Sequence, residues 1–168
     1  YTENDKTNPI NVYGKTKLEG ETAIQESHDQ YLILRTSWVY SSTRGKNFYT
    51  TMLRLFQEKE VVRVVDNKIG KPTSAEFLAQ ATVKILLQLR KKKEGEGRWG
   101  LHHISGNEQM SWYSFATKIY KEVGSASKRM KTKTIMPISS KEYGSNVDRP
   151  IYSVLNCERI KKNFENIY

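Results

Sequence analysis

"YLILRTSWVY", residues 31–40, decides the fold. The run is nearly unbroken in apolar, β-branched and aromatic side chains. A strand wet on one face alternates apolar with polar residues. A run without that alternation belongs to a strand covered on both faces, as in parallel sheets. Upstream, "NPINVYGKTKLEGETAIQES" (8–27) reads as a helix ending near Ser27, with Pro9 in its first turn and Thr7 or Asn8 as the cap. Downstream, "SSTRGKN" (41–47) is a loop, and the next segment carries Phe48, Met52, Leu55 and Phe56 at helical spacing. "VVRVVDN" (61–67) is a strand, and "KIGKPTS" (68–74) a loop leading to a capping box of Thr73 with Glu76. The helix beyond runs to about Leu89, with Phe77, Leu78, Ala81, Ile85 and Leu89 on one stripe. "GLHHISG" (100–106) is a short strand. Ser111 caps a helix from Trp112 to about Val123, closed by Gly124. "KTIMPIS" (133–139) is a strand, "EYGSNVDRPIYS" (142–153) an irregular loop, and a last helix starts near Asn156. Strands alternating with helices predict an α/β fold with parallel pairing.

The bulk properties narrow the function. At 168 residues, 37% hydrophobic and 11% aromatic, the chain is one domain with enough apolar mass for a core. No stretch approaches the ~18 unbroken apolar residues of a membrane span, and no secretory signal pattern opens the chain. It begins at Tyr1, without methionine and in loop-like text, so it reads as a piece of a longer protein. The single Cys157 precludes an internal disulfide and fits a reducing, cytoplasmic setting, as a small structural residue near a helix start. Twenty-eight Lys and Arg against 18 Asp and Glu give a net charge of +10, which invites nucleic acid. The basic runs argue otherwise. "RKKKEGEGR" (90–98) closes an apolar helix, where cations suit the dipole, and "SKRMKTK" (127–133) lies in another connection. No nucleic-acid motif accompanies either run. A positive surface equally suits a small anionic substrate, and neither nucleic acid nor membrane is an expected partner.

The chemistry centres on "NVYGKTKLEGE" (11–21). Tyr13 and Lys17 are four apart and share one helix face. A phenol ordinarily titrates near 10, and a neighbouring cation favours its phenolate. A tyrosine in such company can pass a proton to a nascent alkoxide, which is general acid/base work suited to carbonyl reduction. The other reading is a surface or packing pair, since Y-x-x-x-K arises by chance. Gly14 and Gly20 each cost a helix about 1 kcal/mol against alanine, which calls for close approach of a neighbour or ligand there. His102 and His103 are adjacent in a strand and face opposite sides, so they form no metal-binding face. No metal is expected, and no nucleophile-elbow pattern occurs.

"NPINVYGKTKLEGE", "LILRTSWVY", "GKNF", "TMLRL", "VVDNKIGKPTSAEFLA" and "RPIYSVLNCERI", in that order, resemble the dTDP-4-dehydrorhamnose reductases, members of the extended short-chain dehydrogenase/reductase group. The resemblance spans essentially the whole chain. It implies reduction of the 4-keto group of dTDP-6-deoxy-L-lyxo-4-hexulose (dTDP-4-dehydrorhamnose) to dTDP-L-rhamnose for cell-surface polysaccharide, with NADPH or NADH as cofactor and a nucleotide sugar as substrate. By that resemblance Tyr13 is the proton donor and Lys17 holds the cofactor ribose and tunes Tyr13. Thr36 and Ser37 pass the nicotinamide, and Trp38 lines the sugar pocket. Asn47 contacts substrate or caps the next helix, and Arg149 meets the pyrophosphate, whose oxygens suit a guanidinium. Lys71 stands where the family usually has a small residue. A homodimer is a further possibility of this family.

The glycine-rich phosphate turn of a dinucleotide fold, G-x-G-x-x-G, is absent. So is the family's third catalytic residue, a Ser or Thr on an earlier strand. The resemblance therefore implies the C-terminal part of a Rossmann-type extended fold with its smaller substrate-binding lobe, lacking the N-terminal glycine-rich βαβ part. Residues 1–60 or so would carry late Rossmann strands and the catalytic helix, and about 61–168 mostly the substrate lobe, interleaved. Alone, such a chain is expected to bind cofactor weakly and not to turn over, and the strand at 31–40 should be stripped on one side. Two other readings exist. "SGNEQM" (105–110) is similar to a stretch in the regulatory subunit of methionine adenosyltransferase, a non-catalytic relative, though Tyr13, Lys17 and Trp38 together argue for catalysis. The other is a related nucleotide-sugar epimerase or dehydratase; a dehydratase would want carboxylates beside the tyrosine. Glu19 lies on another helix face, and Glu21 about 12 Å along the axis.

Overall fold

The apolar run at 31–40 forms two strands, not one: β1 (Leu32–Arg35) and β2 (Val39–Tyr40). Trp38 separates them with a left-handed backbone, φ 53°. That conformation costs a residue with a Cβ about 1–2 kcal/mol and cannot continue a ladder, so the chain turns to a new partner. β1 pairs in parallel with β6 (Gly100–His103), and β2 in parallel with β5 (Thr73–Ser74). The computed structural model describes residues 1–91, 98–124, 129–145 and 147–168, so parts of both basic runs lie outside the described residues.

Two further pairs complete the pattern. β3 (Val61–Val65) lies parallel to β8 (Thr134–Ile138), and β4 (Ile69–Gly70) antiparallel to β7 (Met110–Ser111). β4, β5 and β7 are two-residue strands where sequence patterning shows loop, because segments this short carry no periodicity. Along β3, Val62 and Val64 are buried while Val61 and Arg63 are exposed, the alternation of a strand covered on one face.

The helices carry these pairs. α2 (Phe48–Glu58) is capped by Asn47 in a reciprocal box with Thr50. α3 (Ala75–Arg90) starts at Ser74, whose hydroxyl accepts from the Phe77 N–H; Thr73 belongs to β5 and is not the cap. Glu76 turns away to accept from the Ser41 hydroxyl. α4 (Trp112–Gly124) is capped by Ser111, as its hydroxyl accepts from the Ser114 N–H. α5 (Ser140–Tyr143) and α6 (Glu158–Asn163) are short. Two cores result. Ala81, Ile85 and Leu89 of α3 meet Ile104, Ile160 and Phe164 over the β1–β6 pair. Met52 and Phe56 of α2 meet Phe115, Ala116 and Ile119 of α4 over Val62 and Val64.

α1 (Val12–Ser27), although 16 residues long, buries no residue. Its cap is Asn11, whose Oδ1 accepts from the Gly14 N–H at 2.8 Å; Pro9 precedes the helix, and neither Thr7 nor Asn8 caps it. Gly14 is explained by that entry turn, since a Cβ there would lie 3.1 Å from the Pro9 Cβ, whereas around Gly20 nothing lies within 4 Å. Close approach thus accounts for one of the two glycines, and the neighbour is the chain's own proline. The helix is fastened by a fork between Arg35 and Glu21, with Nε to the two carboxylate oxygens at 2.9 and 3.0 Å and an NH2 contact of 2.5 Å. β1 has β6 as its one strand partner among the described residues, and its Leu32 and Leu34 are half-buried.

Candidate active site

The direction of α1 places its chemistry. Ser27 leads through a short connection to Leu32 at the start of β1, while Glu21, earlier in the helix, meets Arg35 at the strand's end. The helix therefore runs antiparallel to β1. Its first turn continues past the strand's carboxyl end, with Tyr13 about 12 Å beyond Glu21 at 1.5 Å per residue. The carboxyl ends of parallel strands are where α/β folds bind ligands. There, Tyr13 is 72% exposed, and the Lys17 ammonium stands 5.6 Å from the centre of its ring. The two heads converge on one face, at a separation where a cation is attracted to an aromatic ring.

Just past the end of β1 come Thr36, Ser37 and Trp38. The hydroxyls of Thr36 and Ser37 are buried with no hydrogen-bond partner among the described residues, and the ring of His103, the residue registered with Arg35 on β6, is buried beside Tyr1 and Glu3. Unpaired buried polar groups each cost about 1–3 kcal/mol, so this end of the strands carries unmet hydrogen-bonding capacity that a polar ligand edge would fill. The Trp38 indole lies flat on that of Trp112, with centroids 3.5 Å apart and planes 6° off parallel. Arg149 is exposed in the loop after α5. The carbonyl of its neighbour Asp148 accepts from the Asn11 side chain at 2.9 Å, which brings that loop to the first turn of α1.

Other sequence-predicted residues have structural occupations. The Asn47 amide donates to the carbonyls of Ser41 and Arg44 at 3.0 Å each and its Oδ1 accepts from the Thr50 N–H, so one end ties down the preceding loop and the other caps α2. The Lys71 ammonium donates to the Leu155 carbonyl at 3.1 Å and ties down the segment before α6. His102 and His103 do face opposite sides. His102 meets Asn163 at 3.1 Å and the Phe164 ring, while the His103 backbone N–H donates to Glu3. Burial pushes both imidazoles below the ordinary histidine value; the Gly100 carbonyl opposes this at His102 and the Glu3 charge at His103. No group of three or more metal-ligating side chains occurs among the described residues. No described helix is long and apolar enough to cross a membrane. Cys157 is buried, its sulfur 3.3 Å from the Ser105 hydroxyl. An open depression of about 700 Å³, lined by Tyr31, Gly100, Trp99, Arg159 and Lys162 among others, lies at the opposite, amino end of β1 and β6. Tyr13 and the buried hydroxyls of Thr36 and Ser37 lie toward the carboxyl end instead. Sequence reasoning did not single out Trp112, whose place against Trp38 depends on pairing between segments remote in sequence.

The family model described as the RmlD substrate binding domain matches residues 1–167. The chain belongs to that family. Among the curated members, the dTDP-4-dehydrorhamnose reductase of Salmonella typhimurium is 36% identical over 167 residues, covering 99% of this chain and 54% of that protein. The reductase of Burkholderia thailandensis is 38% identical over 168 residues, covering 98% of this chain and 56% of that protein. Among solved structures, the Bacillus anthracis dTDP-4-dehydrorhamnose reductase in complex with NADP superimposes with a TM-score of 0.84 at 34% identity, over 97% of this chain and 53% of that one. The chain thus spans about half the length of the RmlD relatives it matches, and corresponds to their C-terminal portion within the Rossmann-type reductase fold.

Proposed function

We propose that this chain supplies the proton-transfer and sugar-binding half of a reductase that converts the 4-keto group of dTDP-4-dehydrorhamnose to the alcohol of dTDP-L-rhamnose, using NADPH or NADH, in the cytoplasm. The observation that carries the reading is the convergence of Tyr13 and Lys17, 5.6 Å apart by ammonium and ring centre, beyond the carboxyl end of β1. The relatives' name, shared across several species, supports the substrate. The unpaired hydroxyls of Thr36 and Ser37 fit the polar edge of a nicotinamide, and Lys17 fits the ribose hydroxyls beside it. The cofactor, when bound, supplies a hydride to the carbonyl carbon.

The chain's own residues do the rest. As the carbonyl oxygen takes up negative charge, the Tyr13 hydroxyl donates its proton to that oxygen. The Lys17 ammonium stabilises the phenolate left behind. Trp38 walls the sugar, and Arg149, on the loop beside the first turn of α1, receives the pyrophosphate through its guanidinium fork. Asn47 contributes to substrate binding through the loop it caps. In this reading residues 1 to about 60 carry the proton chemistry and the later residues most of the sugar lobe.

The test follows NADPH consumption with the dTDP-4-keto-6-deoxy sugar by the complete enzyme and by its Tyr13→Phe variant. Loss of a general acid lowers turnover by about 10²–10⁴-fold. Equal rates in the two would remove Tyr13 from the mechanism and the reading with it.

A further inference from the structure

Trp38 holds a backbone conformation, φ 53°, that is disfavoured for any residue with a Cβ. Something must hold it there. Its carbonyl accepts from the Thr73 N–H at 3.1 Å, which fixes the backbone on the far side. Its indole is fixed by two contacts from elsewhere. Trp112 stacks on it at 3.5 Å and 6°. Gly70 lies so close that a Cβ there would stand 2.3 Å from the Trp38 Cε2. Gly70 is not among the glycines with positive φ. It is a glycine for space alone, and the space is occupied by Trp38.

The two contacts belong together. Gly70 pairs with Met110 across β4 and β7, and Trp112 follows Met110 by two residues at the head of α4. Trp112 is in turn backed by Phe48 of α2, with ring centres 4.4 Å apart. A row therefore leads from the α2/α4 core through Trp112 to Trp38, at the carboxyl end of β1.

We propose that Trp112 is a positioning residue for the sugar subsite: stacked on Trp38, whose indole also lies against the side-chain-free Gly70, it holds that indole in the place where the left-handed Trp38 backbone presents it to the nucleotide sugar. This rests on the reading of Trp38 as a sugar-pocket residue given above. Trp112 acts through Trp38, and has no contact with substrate of its own.

The test uses the complete enzyme, with the dissociation constant of dTDP-L-rhamnose read by titration calorimetry beside steady-state kinetics. Trp112→Ala weakens sugar binding about three- to tenfold, the equivalent of one lost aromatic stack. In the complete enzyme it raises the sugar KM while leaving the NADPH KM unchanged. Trp112→Phe, which keeps an aromatic face, restores most of the binding. Gly70→Ala, whose Cβ would press on the Trp38 indole, reproduces the loss with both tryptophans in place, and alters their near-ultraviolet circular dichroism. The decisive comparison is the double variant. Once Trp38 is alanine, adding Trp112→Ala weakens binding no further. Additive losses, or sugar binding untouched in both Trp112→Ala and Gly70→Ala, overturn the positioning role. If Trp38→Ala itself binds like the parent, or the complete parent enzyme does not bind the sugar, then the underlying reading of Trp38 has failed, and the inference falls with it. If Trp112→Ala does not fold, Trp112→Phe and Gly70→Ala decide the matter.

Discussion

Replacing Glu21 by glutamine should loosen α1 and little else. The helix buries none of its residues, so the hydrophobic term that holds most helices in place is nearly missing. What fastens it is the fork on Arg35, three contacts between 2.5 and 3.0 Å, with the two side chains 23% and 18% exposed. A fully exposed ion pair is worth about 0.2–1 kcal/mol, and a charge-assisted hydrogen bond about 1.5–3. A partly shielded fork lies between those limits. Glutamine keeps the shape and one acceptor oxygen but loses the charge, so the expected loss is about 1–2 kcal/mol, a factor of roughly 5–30 in the opening equilibrium. Arg35, whose guanidinium is held charged first of all by its hydrogen bonds to Glu21, keeps its place on β1. The assay is native-state hydrogen exchange resolved by residue. Amides from Lys15 to Ser27 should exchange about 5–30 times faster in the variant, while those of β3 and β8 keep the parental rate. If α1 exchanges at the parental rate, the fork is not its fastener. If protection falls equally in β3 and β8, α1 is not a separate unit. Either result refutes the reasoning.

Other consequences are checked by ordinary unfolding measurements. Gly20→Ala meets no atom within 4 Å and should stabilise the chain by about 0.5–1 kcal/mol through helix propensity, seen as a higher urea midpoint. Gly14→Ala should gain less, because its Cβ would press on Pro9 at 3.1 Å. Asn47→Ala, which removes the α2 cap, should cost about 1 kcal/mol, with the same slope against urea. Burial holds His102 and His103 below the unfolded histidine value. The unfolded chain therefore takes up protons first as pH falls, so stability is intact above about pH 6.5 and declines below it. His103→Gln should flatten that decline in urea midpoints measured from pH 7.5 to 5.5.

What the sequence determined by itself was whatever depends on a few consecutive residues. The α/β alternation, the apolar stripes of α2 and α3, the Ser111 cap and the parallel pairing expected of "YLILRTSWVY" all follow from local periodicity and cap chemistry, which act within one or two helical turns. The meeting of Tyr13 and Lys17 is equally local, since residues four apart on a helix must be neighbours. The tertiary structure decided the rest. Trp38 breaks its strand in two because partners more than thirty residues away, Gly70, Thr73 and Trp112, hold it in a conformation that its own neighbours disfavour. Beyond its local cap on the Gly14 N–H, the Asn11 side chain meets the Asp148 carbonyl, 137 residues on. Lys71 is committed to the Leu155 carbonyl, 84 residues on. No window of sequence contains such pairings, because the free energy that selects them comes from surfaces that meet only after the chain has folded.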